Sequence, residues 1–188
     1  DRKDALEQEM FAKRYVGSCC GKSRTGFYFA NDARTAQKVD HEFALKIDDG
    51  FRLMNQLQKS SPLFRKTGGV HNAGLATRDQ LKVVRTDIGR HNTLDKLYGY
   101  GLRQDIKFSQ HVVVFSGRIS SEIILKISKM GCPVLISQCA PTELALEMAE
   151  DLEISTAGFM KEKSCNIYTH PQRFSDITIL KSSLEPGE

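Results

Sequence analysis

The sequence predicts an α/β domain whose mixed, largely parallel sheet is flanked by helices. From Leu81 onward, short apolar runs alternate with helical patterns, and this alternation is typical of β-α-β units around such a sheet. The chain has 188 residues, of which 40% are hydrophobic and 27% charged, as is ordinary for a folded globular protein. We therefore expect one main domain over residues 1–188 with a sizeable core.

Two helices are expected before the first predicted strand. Residues 1–12 allow a helix, and the amphipathic pattern over Phe51–Lys59 predicts another. Residues 82–86 and 111–116 have the apolar pattern of strands. Between these strands a helix is expected to begin near Gly89, with one face formed by Thr93, Leu94, Leu97 and Tyr98.

The clearest helical pattern covers residues 119–130, and a strand over residues 133–137 is expected to follow it. Gly131 is the expected C-cap, because glycine readily adopts the left-handed conformation that ends many helices. Further strands are predicted over residues 154–159 and 165–169. The helical spacing is formed by Ile119, Ile123, Ile124, Ile127 and Met130.

A third helix is expected to begin at Pro141, because a first helical position tolerates the missing N–H of proline. Leu144, Met148 and Leu152 are expected to form its buried face. The tail from Ser182 onward is expected to be frayed.

Charge and composition limit the class of protein. The 27 basic and 23 acidic residues give a formal charge of +4, which favours an anionic ligand and does not predict a nucleic-acid or membrane partner. Apolar runs such as Val112–Phe115 are far shorter than the roughly 18 residues of a membrane span. Five irregularly placed cysteines and the lack of a secretory signal indicate a cytoplasmic protein. Because the sequence opens on Asp1, part of the N-terminus is expected to be missing.

The most unusual polar segment, Thr86–Lys96, follows a predicted strand and enters a predicted helix. Free N–H groups at a helix N-terminus such as that at Gly89 bind phosphate or carboxylate groups. Arg90 and His91 can add charge-assisted hydrogen bonds to an anion. The alternative is an ordinary capped helix start with a salt bridge or two.

The same design recurs over Phe115–Glu122, where Ser116, Gly117 and Arg118 lie between a strand and a helix. A weaker third example covers Ser137–Glu143. In an open α/β sheet, loops at the carboxyl ends of strands line the ligand crevice. The three loops together predict one site for a phosphate-bearing ligand.

A glycine-rich turn over Thr67–Gly74 is a fourth candidate, since glycine lets the backbone approach a ligand closely. His71 within it is a candidate acid, base or hydrogen-bond donor, and a structural histidine is the alternative. Neither a GxGxxG fingerprint nor a P-loop is present in the sequence.

Two adjacent cysteines, Cys19 and Cys20, lie in the Gly-, Ser- and Lys-containing stretch Val16–Ser23. Nearby cations favour the thiolate, which is the nucleophilic form of cysteine, so the pair indicates sulfur chemistry. Two loop cysteines without a role are the alternative. Adjacent cysteines are poorly suited to a tetrahedral zinc site, and no zinc is expected. The cysteines expected to be buried on or beside apolar strands are Cys132, Cys139 and Cys165.

Six short motifs follow one another across most of the chain: Cys20-Gly21-Lys22, the Thr67–Leu75 turn, Asp87–Asn92 with Asp95-Lys96, Ser116-Gly117-Arg118 with Ser121-Glu122, Ala140-Pro141-Thr142, and Gly158-Phe159. In order and spacing they closely resemble the FdhD family of formate dehydrogenase accessory sulfurtransferases. The β-rich segment that family members usually carry upstream is expected to be absent from this chain.

The resemblance implies a cytoplasmic homodimer that takes sulfur from a cysteine desulfurase as a cysteine persulfide. It implies that the sulfur passes to the molybdenum cofactor, in its bis-molybdopterin guanine dinucleotide form, before the cofactor enters formate dehydrogenase. The implied fold is similar to that of the cytidine deaminases. Deamination itself is not expected, because His71-Asn72-Ala73 lacks the glutamate of the deaminase zinc signature.

The resemblance also implies a cofactor-binding segment near the C-terminus. Family members often have arginine and glycine where this chain has Lys161 and Glu162. Lysine supplies charge without the bidentate fork of arginine. The segment corresponds to Phe159, Met160, Lys161, Glu162, Lys163 and Ser164.

Many family members carry the thiol motif C-G-x-C-G-K, and this chain has Gly17 at the first cysteine position. Our hypothesis is that Cys20 holds the persulfide and that Cys19, or an added reductant, releases the sulfur. The two thiols could exchange these roles. The first rival hypothesis is a cofactor-binding chaperone without covalent chemistry, and the second is a zinc-dependent, deaminase-like nucleotide hydrolase.

Overall fold

The computed structural model describes residues 35–40 and 42–176. Both predicted catalytic cysteines, the helix expected over residues 1–12 and the tail from Ser182 lie outside these residues. The described helices are α1 (Ile47–Lys59), α2 (Pro62–Thr67), α3 (Arg90–Arg103), α4 (Ser121–Met130) and α5 (Glu143–Asp151). The strands are β1 (His71–Ala76), β2 (Leu81–Asp87), β3 (Val112–Phe115), β4 (Val134–Ser137), β5 (Ser155–Lys161) and β6 (Ser164–Thr169).

The six strands form one mixed sheet in the order β2-β1-β3-β4-β5-β6. β3, β4 and β5 pair in parallel, whereas β2 with β1, β1 with β3, and β5 with β6 pair antiparallel. The predicted α/β class with a mixed, helix-flanked sheet is confirmed, and its parallel part is the central three strands. β2, β3, β4 and β5 all end at the same edge of the sheet, which we call the carboxyl edge, and β1 begins there.

The sheet separates two apolar layers. On one face, α1 packs through Leu53, Met54 and Leu57 against strand residues such as Val114 and Ile136. On the other face, α3, α4 and α5 pack against the alternate strand residues, which include Val113, Phe115 and Leu135. Side chains that alternate between two covered faces explain why the central strands read as continuous apolar runs. No helix among the described residues is long and apolar enough to cross a membrane.

The helices predicted within the described residues are confirmed, with shifts at their ends. α4 begins at Ser121 and not at Ile119, which forms a β-bridge with Pro141. α4 ends at Gly131, which adopts φ 70° as the expected left-handed C-cap. α1 begins at Ile47, four residues before the predicted start, because the Asp176 carboxylate accepts a hydrogen bond from the Ile47 N–H at 2.7 Å. That cap comes from the far end of the described chain, so the local pattern did not contain it.

The prediction that α5 begins at Pro141 is wrong. Pro141 forms a parallel β-bridge with Ile119, and Thr142 is the N-cap, whose hydroxyl accepts a hydrogen bond from the Ala145 N–H at 3.3 Å. The predicted buried face is also rotated: Leu144 is exposed, and Ala145 and Ala149 are buried in its place.

The segment Thr67–Gly74 is not the single turn that its glycines suggested. Thr67 ends α2, Gly68 is its left-handed C-cap, and His71 already begins β1. β1 was missed because Asn72 and Gly74 are poor strand formers. Contacts with other parts of the fold explain both residues. The Asn72 side chain is buried and hydrogen-bonded. Gly74 has no room for a side chain, because a Cβ on it would lie 2.6 Å from Leu81 Cδ1.

Candidate functional site

The predicted site segments from five separate regions of the chain meet at the carboxyl edge. β2 ends before the loop that carries Gly89, Arg90 and His91, and β1 begins with His71 opposite Asp87. β3 and β4 end at this edge too, each before one further segment, and the end of β5 with the start of β6 forms the last segment. These segments are Ser116–Arg118, Gln138–Pro141 and Phe159–Ser164. We call the surface formed by these loops the crevice.

Asp87 organises the first loop. Its Oδ1 accepts hydrogen bonds from the Gly89 N–H at 2.8 Å and from Asn92 Nδ2 at 3.0 Å, and its Oδ2 accepts one from Lys96 Nζ. The bond from Lys96, with those from Gly89 and Asn92, lowers the pKa of Asp87 to about 2. Asp87 therefore stays ionised and holds the start of α3. This agrees with the alternative interpretation of the loop as an ordinary capped helix start with a salt bridge.

Arg90, the first residue of α3, is 9% exposed, and no described residue accepts a hydrogen bond from its Nε. Burial and then the Arg90 charge lower the pKa of His71. The same Arg90 charge also lowers the pKa of His91. A buried guanidinium with a donor left over suits an anion.

His91 forms a second link across the crevice. Its Nε2 lies 3.2 Å from Oε2 of Glu122 in the first turn of α4. Burial lowers the pKa of His91, and the Glu122 charge opposes that shift. Sequence reasoning did not select Glu122, although it lies in the Ser121-Glu122 motif.

The second loop is fixed by hydrogen bonds that serine hydroxyls and backbone groups form with the backbone. The Asn72 N–H donates to Ser116 Oγ at 2.8 Å, and the Ser116 N–H donates to the Asn72 carbonyl at 3.0 Å. Ser137 Oγ donates to the Gly117 carbonyl at 2.7 Å. A Cβ on Gly117 would lie 2.8 Å from Phe115 Cζ and 3.4 Å from Arg90 Cβ, so glycine allows the two loops to approach. Arg118 is exposed.

Cys139 in the third loop lies at the crevice. Its thiol donates to the Ser116 carbonyl at 3.3 Å, and its side chain is half-buried. Burial raises the pKa of Cys139, while the nearby Arg118 and Lys161 charges oppose the shift. The prediction of a buried cysteine holds for Cys132, whose pKa burial raises to about 12, and only partly for Cys139 and Cys165.

The segment Phe159–Ser164 closes the far side of the crevice. Phe159 has a left-handed φ of 51° and is 45% exposed, which is unusual for a large aromatic residue in a strand. The Met160 side chain is buried, with its Cε 3.3 Å from the Cβ position of Gly50. The exposed members of the segment are Phe159, Lys161, Glu162, Lys163 and Ser164.

The described chain enters the fold at the opposite edge of the sheet. Ser128 Oγ donates to the Gln37 carbonyl at 2.7 Å and accepts a hydrogen bond from the Gln37 N–H at 3.0 Å. The Val39 N–H donates to the Leu152 carbonyl at 2.9 Å, just before β5 begins. The first described residues, Gln37 and Val39, thus contact the fold at the edge of the sheet away from the crevice.

The family model described as FdhD/NarQ family matches residues 1–175. The chain belongs to the FdhD/NarQ family. A relative named "Sulfur carrier protein FdhD" from Shouchella clausii is 53% identical over 171 residues, which are 90% of this chain and 64% of that protein. A protein of the same name from Halalkalibacterium halodurans is 54% identical over 167 residues, which are 89% of this chain and 62% of that protein.

A crystal structure gives the same result for the fold. The FdhD/NarQ chain is similar to a protein of Desulfotalea psychrophila described as a formate dehydrogenase accessory protein, with a TM-score of 0.71 and 26% identity. The match covers 77% of this chain and 62% of that one. The chain spans less than two thirds of the length of these relatives. The predicted resemblance to the FdhD family is confirmed.

Proposed function

We propose that this FdhD/NarQ chain is a sulfurtransferase in the maturation of formate dehydrogenase. It takes sulfur from a cysteine desulfurase as a persulfide on Cys20 and passes it to the molybdenum cofactor. The crevice holds that cofactor, a bis-molybdopterin guanine dinucleotide, as a substrate. The protein works as a cytoplasmic homodimer and delivers the sulfurated cofactor to formate dehydrogenase. The names of the relatives support the sulfur-carrier part of this proposal.

The observation that carries the proposal is the convergence of predicted cofactor-binding segments at one edge of the sheet. Buried Arg90 with an unpartnered Nε, exposed Arg118 and exposed Lys161 give this edge the positive charge that a phosphate-bearing ligand needs. Carboxyl edges of α/β sheets are the usual place for such ligands. Phe159 adds an exposed ring on which a base can stack.

The sulfur transfer takes place in two displacement steps. The Cys20 thiolate, favoured by Lys22 and Arg24, attacks the terminal sulfur of the desulfurase persulfide, and the desulfurase cysteine leaves as a thiolate. Cys19 then attacks the inner sulfur of the Cys20 persulfide, so that a Cys19–Cys20 disulfide forms and hydrosulfide leaves with its electron pair. An added thiol reductant can take the place of Cys19 or reduce the disulfide afterwards.

This chemistry requires that Cys20 can reach a cofactor bound in the crevice. Fourteen residues lie between Cys20 and Thr35, where the described chain begins. A chain of that length extends to about 50 Å at most, which exceeds the dimensions expected of a compact domain of this size. Cys20 can therefore reach a cofactor in the crevice even though its attachment lies at the opposite edge.

A chaperone that binds the cofactor without covalent chemistry is the second candidate. It is favoured by the observation that described residues by themselves bring buried Arg90 and exposed Arg118 and Lys161 to the crevice. The two functions predict different results in a bacterial strain whose formate dehydrogenase activity depends on this protein. We expect a Cys19→Ala, Cys20→Ala double variant to bind GDP normally and to lose formate dehydrogenase maturation. Normal maturation with the double variant would favour the chaperone.

A further inference from the structure

A groove of about 180 Å³ lies between α3 and α4 and is separate from the crevice. Its volume is below the roughly 300–1,000 Å³ of small-molecule pockets and close to the roughly 150 Å³ of a cavity that holds a benzene ring. The groove therefore has the size of an aromatic side chain and not of a cofactor. Its apolar lining consists of Leu94, Tyr98, Leu125 and Met130.

Two lysines of α4 favour an aromatic occupant. Lys126 lines the groove and pairs with Asp95 of α3, and Lys129 lines it one turn further along α4. Lysine stems cover apolar surface while the ammonium groups stay in water, and an ammonium group attracts the face of an aromatic ring. An aromatic side chain is therefore stabilised here by apolar contact and by charge.

The described chain begins beside this groove. Gln37 forms two hydrogen bonds with the hydroxyl of Ser128, the residue before Lys129 in α4. In the sequence before Gln37, the first large apolar side chains form the run Phe27-Tyr28-Phe29. The eight residues from Phe29 to Gln37 span up to about 26 Å, whereas the part of α4 that lines the groove is only about 8 Å long. The run can therefore reach the groove.

The other end of the described chain lies on the opposite face of the sheet. Phe174 belongs to the apolar layer that contains α1, and the Asp176 carboxylate caps α1 itself. The chain therefore leaves the described fold on the face away from α3 and α4. This path favours the run before Gln37 over the apolar residues after Asp176 as the occupant of the groove.

We propose that the aromatic run Phe27–Phe29 docks into the groove between α3 and α4. In an extended segment Phe27 and Phe29 point to the same side, so one ring enters the groove and the other covers its rim. Asp32 follows the run by three residues and has the charge opposite to that of Lys129. The occupant of the groove is thus a segment of this chain.

Docking of the run has a consequence for the thiols. Leu94 and Leu125 lie one helical turn from the residues that begin α3 and α4 at the crevice. Phe27 follows Cys20 by seven residues, so a docked run limits the arm that carries Cys20 to about 25 Å. A shorter arm raises the effective concentration of the thiol at the crevice. This consequence rests on the proposed function, whereas the docking rests on the groove and the path of the chain.

Tryptophan fluorescence of the full chain tests the docking. The chain contains no tryptophan, so Phe27→Trp and Phe29→Trp each place a single reporter in the run. We expect emission at shorter wavelength and weak quenching by acrylamide in at least one of these variants, because a docked indole is shielded from water. Adding Leu125→Ala to that variant should lower the docking constant at least about tenfold and shift the emission to longer wavelength.

Leu57→Ala is the matched control, because Leu57 is a buried leucine in α1 on the other face of the sheet. It should leave the emission unchanged. A water-exposed tryptophan in both run variants would overturn the docking, as would equal effects of Leu125→Ala and Leu57→Ala. Protection that disappears on dilution would make a second copy the occupant and would overturn it too. So would an Ile179→Trp reporter that Leu125→Ala exposes while both run reporters are unaffected.

The consequence for sulfur transfer is measured separately. A Phe27→Ala, Phe29→Ala double variant should still gain one sulfur atom from a cysteine desulfurase, by intact mass, but should mature formate dehydrogenase more slowly. If the run docks and this double variant matures the enzyme at the normal rate, the docking stands and its role in sulfur transfer is wrong. If the run docks and the unsubstituted protein gains no sulfur, the docking stands and the proposed function is wrong.

Discussion

Cys139 and Phe159 join two loops of the crevice through the backbone: the Phe159 N–H donates to the Cys139 carbonyl oxygen across 3.4 Å. This contact holds the third strand-end loop against the segment that we propose binds the cofactor. It depends on Gly158, because the Cys139 carbonyl oxygen lies only 2.9 Å from the position that a Cβ on Gly158 would take. The approach of two backbones at this point needs a residue without a side chain.

Gly158→Ala should therefore push the two loops apart. The close atom is a backbone oxygen, which cannot rotate away, so we expect a loss of about 1–3 kcal/mol in the free energy of unfolding. Denaturant titration measures this loss. Gly99→Ala is the matched control, because a Cβ on Gly99 within α3 meets nothing within 4 Å and should stabilise the protein by about 0.5–1 kcal/mol. Equal stabilities of the two variants would contradict the close approach.

Glu122→Gln tests the contact between the two helix ends. The Glu122 charge raises the pKa of His91 against the larger effect of burial, and Arg90, Lys126 and Asp95 also act on the ring. Removing the carboxylate charge should lower the pKa of His91 further, as measured by NMR titration of its ring protons. Glu143→Gln, at the exposed start of α5, should leave the His91 titration unchanged.

The same lowered pKa predicts how stability depends on pH. The unfolded chain takes up a proton on His71 and His91 near the ordinary value of 6.5, whereas the folded protein does so only at lower pH. Stability should therefore fall as the pH decreases through about 6.5 and stay constant above it, as far as these two groups contribute. A His71→Gln, His91→Gln variant should show a smaller decrease in unfolding free energy between pH 7.5 and 5.5. An unchanged decrease would rule out both histidines as its source.

Lys96→Met tests the organisation of the first loop. The hydrogen bond from Lys96 is the largest cause of the low pKa of Asp87, which lies at about 2 instead of 3.8. We expect the substitution to raise the pKa of Asp87, as measured by carboxyl-carbon NMR. The stability that ionised Asp87 supplies is lost in the unsubstituted protein as the pH falls from about 4 to about 2. Lys107→Met, at an exposed position before β3, should change neither the pKa of Asp87 nor the dependence of stability on pH.

The thiols should differ in reactivity. Burial raises the pKa values of Cys132, Cys139 and Cys165, and that of Cys132 reaches about 12. We expect iodoacetamide at pH 8 to modify Cys19 and Cys20 first and Cys132 last, because the thiolate is the reacting form. Peptide mass spectrometry over time gives the order, and the denatured protein should react at all five cysteines. Faster modification of Cys139 than of both Cys19 and Cys20 would place the reactive thiol in the crevice instead.

The sequence was most informative where local pattern and tertiary packing agree. α4 combines an apolar face with Gly131 at its end, so its end followed from the residues. The positions of the polar loops after β2 and β3 also followed from the sequence, because a strand pattern precedes each loop and a helical pattern follows it. The pattern failed where a distant residue decides the local structure. Asp176 caps α1, and Asn72 in β1 is held by the Thr86 hydroxyl at 2.6 Å.

The candidate site was predictable as a set of loops and not as a set of contacts. Arg90 and His91 were selected for their charge, but the burial of Arg90 and the partner of His91 depend on how α3 packs beside α4. Ser120 lies in the predicted polar loop Phe115–Glu122 but was not selected as a site residue, since a serine before a helix is normally a cap. That its buried Oγ has no hydrogen-bond partner among the described residues is visible only once the fold is known.

The most direct test of the central claim is the intact mass of the protein after incubation with a cysteine desulfurase and cysteine. The unsubstituted protein and Cys19→Ala should each gain the mass of one sulfur atom, which a thiol reductant removes. Cys20→Ala should gain none. Full retention of one added sulfur on Cys20→Ala would contradict the assignment of the persulfide to Cys20.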